Sequence, residues 1–230
     1  MLLSLPIFTG CAVPPQRDVA AVSTYVSENP VGYFGTSVEA FQNLPATAAR
    51  IDFGNINPPL LDAAVFHETN RRRAGKRLPT LGFSKQAREC ARTQADAMLR
   101  TRQVTHENPE AGKRTLADRV ASVGFKPRFY GENVAMTFGI RYQPGTRFYP
   151  RVENGIRIAS TTAGGPPIPR HSYRSFAESL VDQWMDSAGH RRNILSKFPT
   201  LLGVSCLLLR DDEGIAKFYC SQVFLAPVDE

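Results

Sequence analysis

The C-terminal end of the chain constrains the fold more than any other stretch. Val204 to Leu209 is a compact apolar run, Asp211-Asp212-Glu213-Gly214 is a turn signal, and Ile215 to Phe224 is a second strand candidate. Folding the two runs about that turn brings Cys206 and Cys220 nearly opposite each other. Either they form a cross-strand disulfide, closing a loop worth about 3 kcal/mol on a chain-entropy argument, or they are two buried thiols. Upstream of this hairpin the periodic segments are helical and the strands are few and non-adjacent. That pattern predicts an α+β layered domain. It excludes a parallel nucleotide-binding sheet, because no strand, Gly-rich loop and helix follow one another.

The helices are legible from caps and spacing. Leu60, Leu61, Ala64, Val65 and Glu68 to Arg72 form a first helix, with Pro59 in its opening turn and Gly75 and Pro79 beyond its end. Ser84 caps a second helix on which Ala87, Cys90, Ala91, Gln94, Ala95, Met98 and Leu99 keep helical spacing. Cys90 lies on that apolar face and reads as a core residue rather than a nucleophile. A loop containing Thr105-His106-Glu107-Asn108-Pro109 follows, then a third helix from Thr115 to Val123. A short strand is expected within Phe125 to Ala135. Ser175 is expected to cap a fourth helix, Phe176 to Asp186, with Phe176, Leu180, Val181 and the core candidate Trp184 on one face. Between strand and helix, residues 137–174 break the pattern with glycines, prolines and an Asn154-Gly155 hairpin signal, and read as an insertion.

The N-terminal end bears on location. Met1 to Cys11, MLLSLPIFTGC, is an apolar run closing on small residues before a cysteine. Its h-region is short and it lacks a positive start. Phe8-Thr9-Gly10-Cys11 resembles a bacterial lipobox, which implies lipidation at Cys11, a membrane anchor without a spanning helix, and export. The bland alternative is an ordinary apolar N-terminus. Residues 12–58 carry no sustained period and read as an extension or tether, packing in part through Tyr33, Phe34 and Phe41. No apolar run reaches the roughly 18 residues a spanning helix needs. Lys plus Arg number 28 against 21 Asp plus Glu, a net charge of +7 that reads as dispersed apart from Arg71-Arg72-Arg73. That triplet favours a helix C-terminus and reads as a solvated face. Nothing resembles a nucleic-acid motif, so no nucleic-acid partner is expected.

Of the four histidines, His67 opens no zinc helix, because Arg71 stands where an HExxH motif needs its second histidine. An ordered string carries more. His106 sits in its Thr-His-Glu-Asn-Pro loop. Gly131-Glu132-Asn133-Val134-Ala135 comes next, then Trp184-Met185-Asp186-Ser187-Ala188-Gly189-His190-Arg191-Arg192-Asn193-Ile194-Leu195. Gly203-Val204 and Ser221-Gln222-Val223-Phe224 close it. In this order the elements resemble the CAP superfamily, the SCP-like domain of cysteine-rich secretory proteins, antigen 5 and plant pathogenesis-related proteins, and most of all its bacterial branch. The resemblance spans about residues 59–226 without the insertion. It implies a three-layer α-β-α sandwich of the CAP type with a long insertion before the Trp-bearing helix. The implied organisation is a signal segment 1–11, an extension 12–58, and a CAP domain 59–228 interrupted by 137–174.

The resemblance also implies a cleft of two histidines and two acidic residues. His106, Glu132 and His190 match three of them. The fourth position, three residues after the tryptophan, holds Ser187, which puts in doubt any mechanism needing both carboxylates. Two neutral imidazoles form a divalent-metal site, typically zinc, with water completing the shell. Glu132 can then serve as ligand, as base on bound water, or as orienter of an imidazole. Equally, Glu132 and Asn133 can serve folding alone. Ser187 can donate a hydrogen bond in the cleft, but no base and orienter are legible for a serine nucleophile. Arg191-Arg192 would widen positive potential at the cleft mouth, and Asn193 would hold its turn through backbone hydrogen bonds. The expected function is an exported binding module presenting this cleft to a lipid, a glycan or an envelope protein. The alternative is a zinc-dependent hydrolase with His106 and His190 as ligands and Glu132 as base. The insertion, following Glu132 closely in sequence, is expected beside the cleft as a partner surface.

Overall fold

The computed structural model describes residues 30–142, 145–153, 156–209 and 215–228. The candidate anchor Cys11, its segment 1–11 and the turn at 211–214 lie outside the described residues. Three short helices come first, α1 (Pro30–Phe34), α2 (Val38–Gln42) and α3 (Pro45–Ala48), followed by the long α4 (Pro58–Ala74). Next are β1 (Gly82–Phe83), α5 (Lys85–Thr101), α6 (Leu116–Ser122) and β2 (Pro127–Phe138). The insertion holds β3 (Tyr149–Glu153) and β4 (Ile156–Ser160), and α7 (Tyr173–Asp186), α8 (Ala188–Ile194), β5 (Leu201–Leu209) and β6 (Lys217–Pro227) complete the chain.

The main sheet has the order β1-β5-β6-β2. It is mixed: β1 runs parallel to β5, while β5–β6 and β6–β2 are antiparallel. Strand alternation gives β6 two different faces. Phe218, Cys220 and Phe224 join α4 and α7 in the larger core, while Val223 and Leu225 join Ala87, Cys90, Ala91 of α5 and Val120 of α6. The fold is thus α+β, a mixed sheet flanked by helices. Cys206 and Cys220 are register partners joined by a disulfide. Cys90 is buried and its thiol is pushed up to about 12, chiefly by burial.

The α5 face against the sheet is built of small residues, Ala87, Ala91 and Ala95 at four-residue spacing, which lets the helix approach closely. Gly203 marks the contact: a Cβ there would lie 2.0 Å from the Arg88 backbone nitrogen. Past β1, which pairs only with Leu201 and Leu202, the free edge of β5 is met by a side chain. Asp62 of α4 accepts from the Cys206 N–H at 3.0 Å and from Arg88 Nη2 at 2.7 Å.

Several expectations need correction. Ser172, not Ser175, is the N-cap of α7, and Ser175 closes a reciprocal capping box with it at the N3 position. The sequence offers a serine at both sites, and the box places one at each end. The strand expected within 125–135 continues to Phe138 as the edge strand β2, so the Gly131 to Ala135 motif lies inside a strand. The Arg71-Arg72-Arg73 triplet is not one solvated face. Arg73 is 1% exposed and donates to the Ile194 and Ser196 carbonyls at 2.7 Å each, and to the Pro79 carbonyl. It thereby binds the C-terminal end of α8 to α4. Residues 33–53 are less of a tether than their lack of periodicity suggests. Phe34, Phe41 and Ile51 are buried in the larger core, Phe34 stacks on Phe83 and Phe41 stacks on His67. His67 is itself buried, with Nε2 against the Tyr33 carbonyl at 2.8 Å.

The insertion leaves β2 beyond Phe138, six residues past Glu132, which at strand rise is about 20 Å along the sheet. Its root packs instead on the N-terminal segment: Ile51 N–H donates to the His171 carbonyl, Arg50 bridges Ser172, and Arg170 lies over Phe53. It is therefore carried away from the cleft rather than beside it. Chain proximity misled here because an extended strand separates neighbours in sequence faster than any other structure.

Candidate functional site

Glu132 stands on β2 with its side chain 2% exposed, pointing to the α5 and α6 face of the sheet. All four acceptor positions of its carboxylate are taken. Arg119 Nη2 donates to both oxygens at 2.8 and 2.9 Å, the Ser221 hydroxyl donates to Oε1 at 3.2 Å, and His106 Nδ1 meets Oε2 at 2.9 Å. A carboxylate only accepts, so Nδ1 of His106 carries a proton, and Nε2 is the ring nitrogen that does not face Glu132. The His106 side chain is 57% exposed, so the imidazole stands at the surface on a buried support.

The loop that carries His106 is held from below. Arg102 leaves α5 in a left-handed conformation, φ 56°. Gln94 of α5 donates to the Thr105 and Glu107 carbonyls, and Asn108 donates back to the Thr93 carbonyl. Arg119, fully buried on α6, donates through Nη1 to the carbonyls of His106, Lys113 and Arg114. A capping box of Thr115 and Asp118 fixes the start of α6 and thus where Arg119 points.

His190, on α8, faces His106 with ring centroids 6.4 Å apart. Desolvation, and secondarily the nearby His106, hold it below the usual histidine range, so it is neutral at pH 7. A zinc ion shared by two imidazoles at ordinary bond lengths would place their centroids about 5–6 Å apart. The observed separation is slightly larger than that, and Glu132 stands behind His106 in the place of the carboxylate that orients a metal-bound imidazole. No three of His, Cys, Asp or Glu gather around a common point among the described residues.

Behind the histidines runs a polar chain through the sheet. Asn193 of α8 donates to the Glu132 carbonyl at 3.0 Å and to Asn133 Oδ1 at 2.9 Å. Asn133 donates to the His190 carbonyl and to Gln222 Oε1, and Gln222 donates to the Thr69 hydroxyl of α4 at 3.0 Å. Asn193 thus binds β2 through its side chain, and its carbonyl accepts the Ser196 N–H within its own turn, as expected. Asn133 and Gln222 are fully buried register partners, so the chain is a core polar network in which every amide finds a partner.

The structure thus brings together three of the four expected site residues. Ser187 is half-buried at the junction of α7 and α8, makes no capping hydrogen bond through its hydroxyl, and takes no part in the bonds that join the trio. Arg191 turns back onto the Met185 carbonyl at 2.6 Å. Arg119 and Ser221 escaped the sequence reading. One signal was available: Ser221 and Gln222 are adjacent polar residues in the middle of an otherwise apolar strand, one for each face of the sheet, where each needs a buried partner.

A family model described as the cysteine-rich secretory protein family (CAP) matches residues 66–224. No match was found among curated proteins. Among solved structures, similarity extends to an extracellular protein containing an SCP domain from Bacillus anthracis str. Ames. It has TM-score 0.49 and 22% identity, over 74% of this chain and 41% of that chain. An outer surface protein from Borrelia burgdorferi matches with TM-score 0.48 and 14% identity, over 79% of this chain and 99% of that one. A cysteine-rich secretory protein from Staphylococcus aureus matches with TM-score 0.43 and 15% identity, over 73% of this chain and 38% of that one. The chain therefore spans about two fifths of the Bacillus and Staphylococcus proteins. No helix among the described residues is long and apolar enough to cross a membrane.

Proposed function

The chain belongs to the CAP, or cysteine-rich secretory protein, family, and from that premise we propose that it is an exported binding module. In this reading a CAP-type three-layer sandwich over residues 59–228, with 137–174 as its insertion, presents His106 and His190 to an envelope or extracellular ligand. Cys11 carries a lipid that tethers the domain. The ligand is a lipid, a glycan or an envelope protein bearing a group that pairs with a neutral imidazole.

One observation carries the choice of binding over catalysis. Glu132 has no acceptor position left, since Arg119, Ser221 and His106 occupy all four. A general base must reach the proton it takes, and this carboxylate is buried and saturated. Its role is to fix the His106 tautomer. Binding of an envelope lipid extract and of a glycan panel is the check. It should be lost in a His106→Ala/His190→Ala double variant of unchanged melting temperature. No binding by the wild-type protein, or equal binding by the double variant, refutes the reading.

The facing imidazoles support a second reading, a zinc-dependent hydrolase. Bound zinc would supply Lewis-acid chemistry and a hydroxide nucleophile. In this chain His106 Nε2 and His190 would hold it, and Glu132 would set the ring of His106. Isothermal titration with zinc separates the readings. Binding that disappears in the double variant, with hydrolytic turnover lost in Glu132→Gln, supports the enzyme. Zinc uptake that the double variant matches refutes it.

A further inference from the structure

Two side chains hold residues 33–48 on the domain through polar bonds. His67 of α4 meets the Tyr33 carbonyl through Nε2 at 2.8 Å. Arg174 of α7 donates through Nη2 to the Gln42 carbonyl and, at 2.9 Å, to the Thr47 hydroxyl. Both side chains line one small cavity, together with Phe41, Thr47 and Glu68. Its volume is about 10 Å³, room for a single water molecule and for nothing larger. It opens in part toward solvent, which gives a water a way in.

Each of these two side chains keeps one buried nitrogen without a hydrogen-bond partner, Nδ1 of His67 and Nε of Arg174. The two are of opposite kinds. A carbonyl only accepts, so His67 Nε2 carries the proton that Tyr33 receives. Burial holds this imidazole below the usual histidine range, so it is neutral at neutral pH and Nδ1 is an acceptor. The Arg174 Nε–H is a donor only. The neighbours supply neither need. Phe41 stacks on the His67 ring at 4.2 Å and offers no polar atom. The Thr47 hydroxyl donates its proton to the Leu44 carbonyl at 2.8 Å. The Glu68 carboxylate is engaged by Arg71 and Arg72.

We infer that this cavity is the site of one internal water molecule, which accepts a hydrogen bond from Arg174 Nε and donates one to His67 Nδ1. The class of ligand follows from the two groups. An anion only accepts, and would leave Nδ1 unpaired beside the Glu68 carboxylate. A cation would meet the Arg174 guanidinium. Only a molecule that both donates and accepts pairs with both nitrogens, and the volume restricts that molecule to water. A dry cavity would instead hold two desolvated polar groups, each costing about as much as a lost hydrogen bond. The water joins the two side chains that carry residues 33–48, so α2, α3, α4 and α7 meet through it. The site is distinct from the histidine cleft, because α4 and α7 pack on the sheet face opposite the one from which Glu132 meets Arg119.

A high-resolution crystal structure of the full chain tests this directly. A solvent peak is expected within about 2.7–3.2 Å of both Arg174 Nε and His67 Nδ1. In solution, the nitrogen shifts of the His67 ring should report a protonated Nε2 and an unprotonated Nδ1, and the ring protons should show a cross-peak to a slowly exchanging water. Arg174→Lys keeps a terminal cation for Gln42 and Thr47 and removes the Nε donor, so it should weaken both the solvent peak and the cross-peak. His67→Phe keeps a ring to stack on Phe41 and removes the acceptor, so it should abolish the solvent peak and lower the melting temperature. Absence of the peak from wild-type crystals in which other buried waters are ordered overturns the proposal. So does a peak with the anomalous signal of a metal or halide, or a doubly protonated His67 ring at neutral pH. A solvent peak unchanged in either variant overturns it as well. The wild-type crystal and spectra decide the matter even where a variant fails to fold.

Discussion

Arg119→Met tests whether the site rests on one buried ion pair. The substitution keeps an unbranched apolar stem and removes the guanidinium. Glu132, with its side chain 2% exposed, then retains only His106 and Ser221 as partners. The carbonyls of His106, Lys113 and Arg114 lose their shared donor as well. Removing one member of a buried pair leaves an uncompensated charge and costs about 3–5 kcal/mol. For a domain of this size each kcal/mol moves the melting temperature by about 2–4 °C, so a fall of roughly 6–20 °C is expected. Replacing both partners leaves no orphan charge. Arg119→Met/Glu132→Gln should therefore be more stable than the sum of the two single losses by at least about 1.5 kcal/mol. Urea unfolding of the four proteins completes the cycle. A single-variant loss below about 1 kcal/mol, or losses that simply add, would show that the pair is not what holds the His106 loop on the sheet.

Three further outcomes follow from packing and charge. Gly203→Ala places a Cβ 2.0 Å from the Arg88 nitrogen and 2.2 Å from the Ala87 carbonyl carbon, all backbone; α5 must move off the sheet, and a loss of more than about 3 kcal/mol or failure to accumulate folded protein is expected. Cys206→Ala/Cys220→Ala opens a cross-link spanning 14 residues, so its urea midpoint should drop by the equivalent of about 3 kcal/mol, and wild type in strong reductant should approach it. Burial, against the pull of Arg88, raises the Asp62 carboxyl to about 6 from an ordinary 3.8. A raised folded-state value means that this group's contribution to stability is full below about pH 4 and is lost as pH rises through about 6. Asp62→Asn should therefore flatten the stability profile between those limits; a variant profile parallel to wild type across that window would contradict the assignment.

How much was legible in the sequence varies by kind of feature. α5 was readable to within a residue, because Ser84 bonds the Ala87 N–H and the apolar face repeats every turn. The terminal hairpin and the Cys206–Cys220 alignment followed from two apolar runs about one turn. The motif string placed His106, Glu132 and His190, which the structure joins, and also Ser187, which it leaves aside. Residues 33–53 were poorly legible, because helices of four or five residues show no period and are held by what they dock on. Ser172 and Ser175, three residues apart, satisfy the same local capping rule, so sequence alone does not distinguish the cap from its N3 partner.

The sequence by itself determined the long helices and the terminal hairpin with their apolar faces, because these depend on residues within a turn or two of one another. It also determined the family, through the order of short motifs. Only the tertiary structure decided what the buried polar groups do. Arg119 meets Glu132 from a different element, Arg73 reaches across to Ile194 and Ser196, and Asn193, Asn133, Gln222 and Thr69 join α8 to α4 through the sheet. Those pairings depend on strand register and helix placement, which no local pattern encodes. Each polar side chain announces only that it needs a partner, and the register of β2 on β6 selects which one it gets.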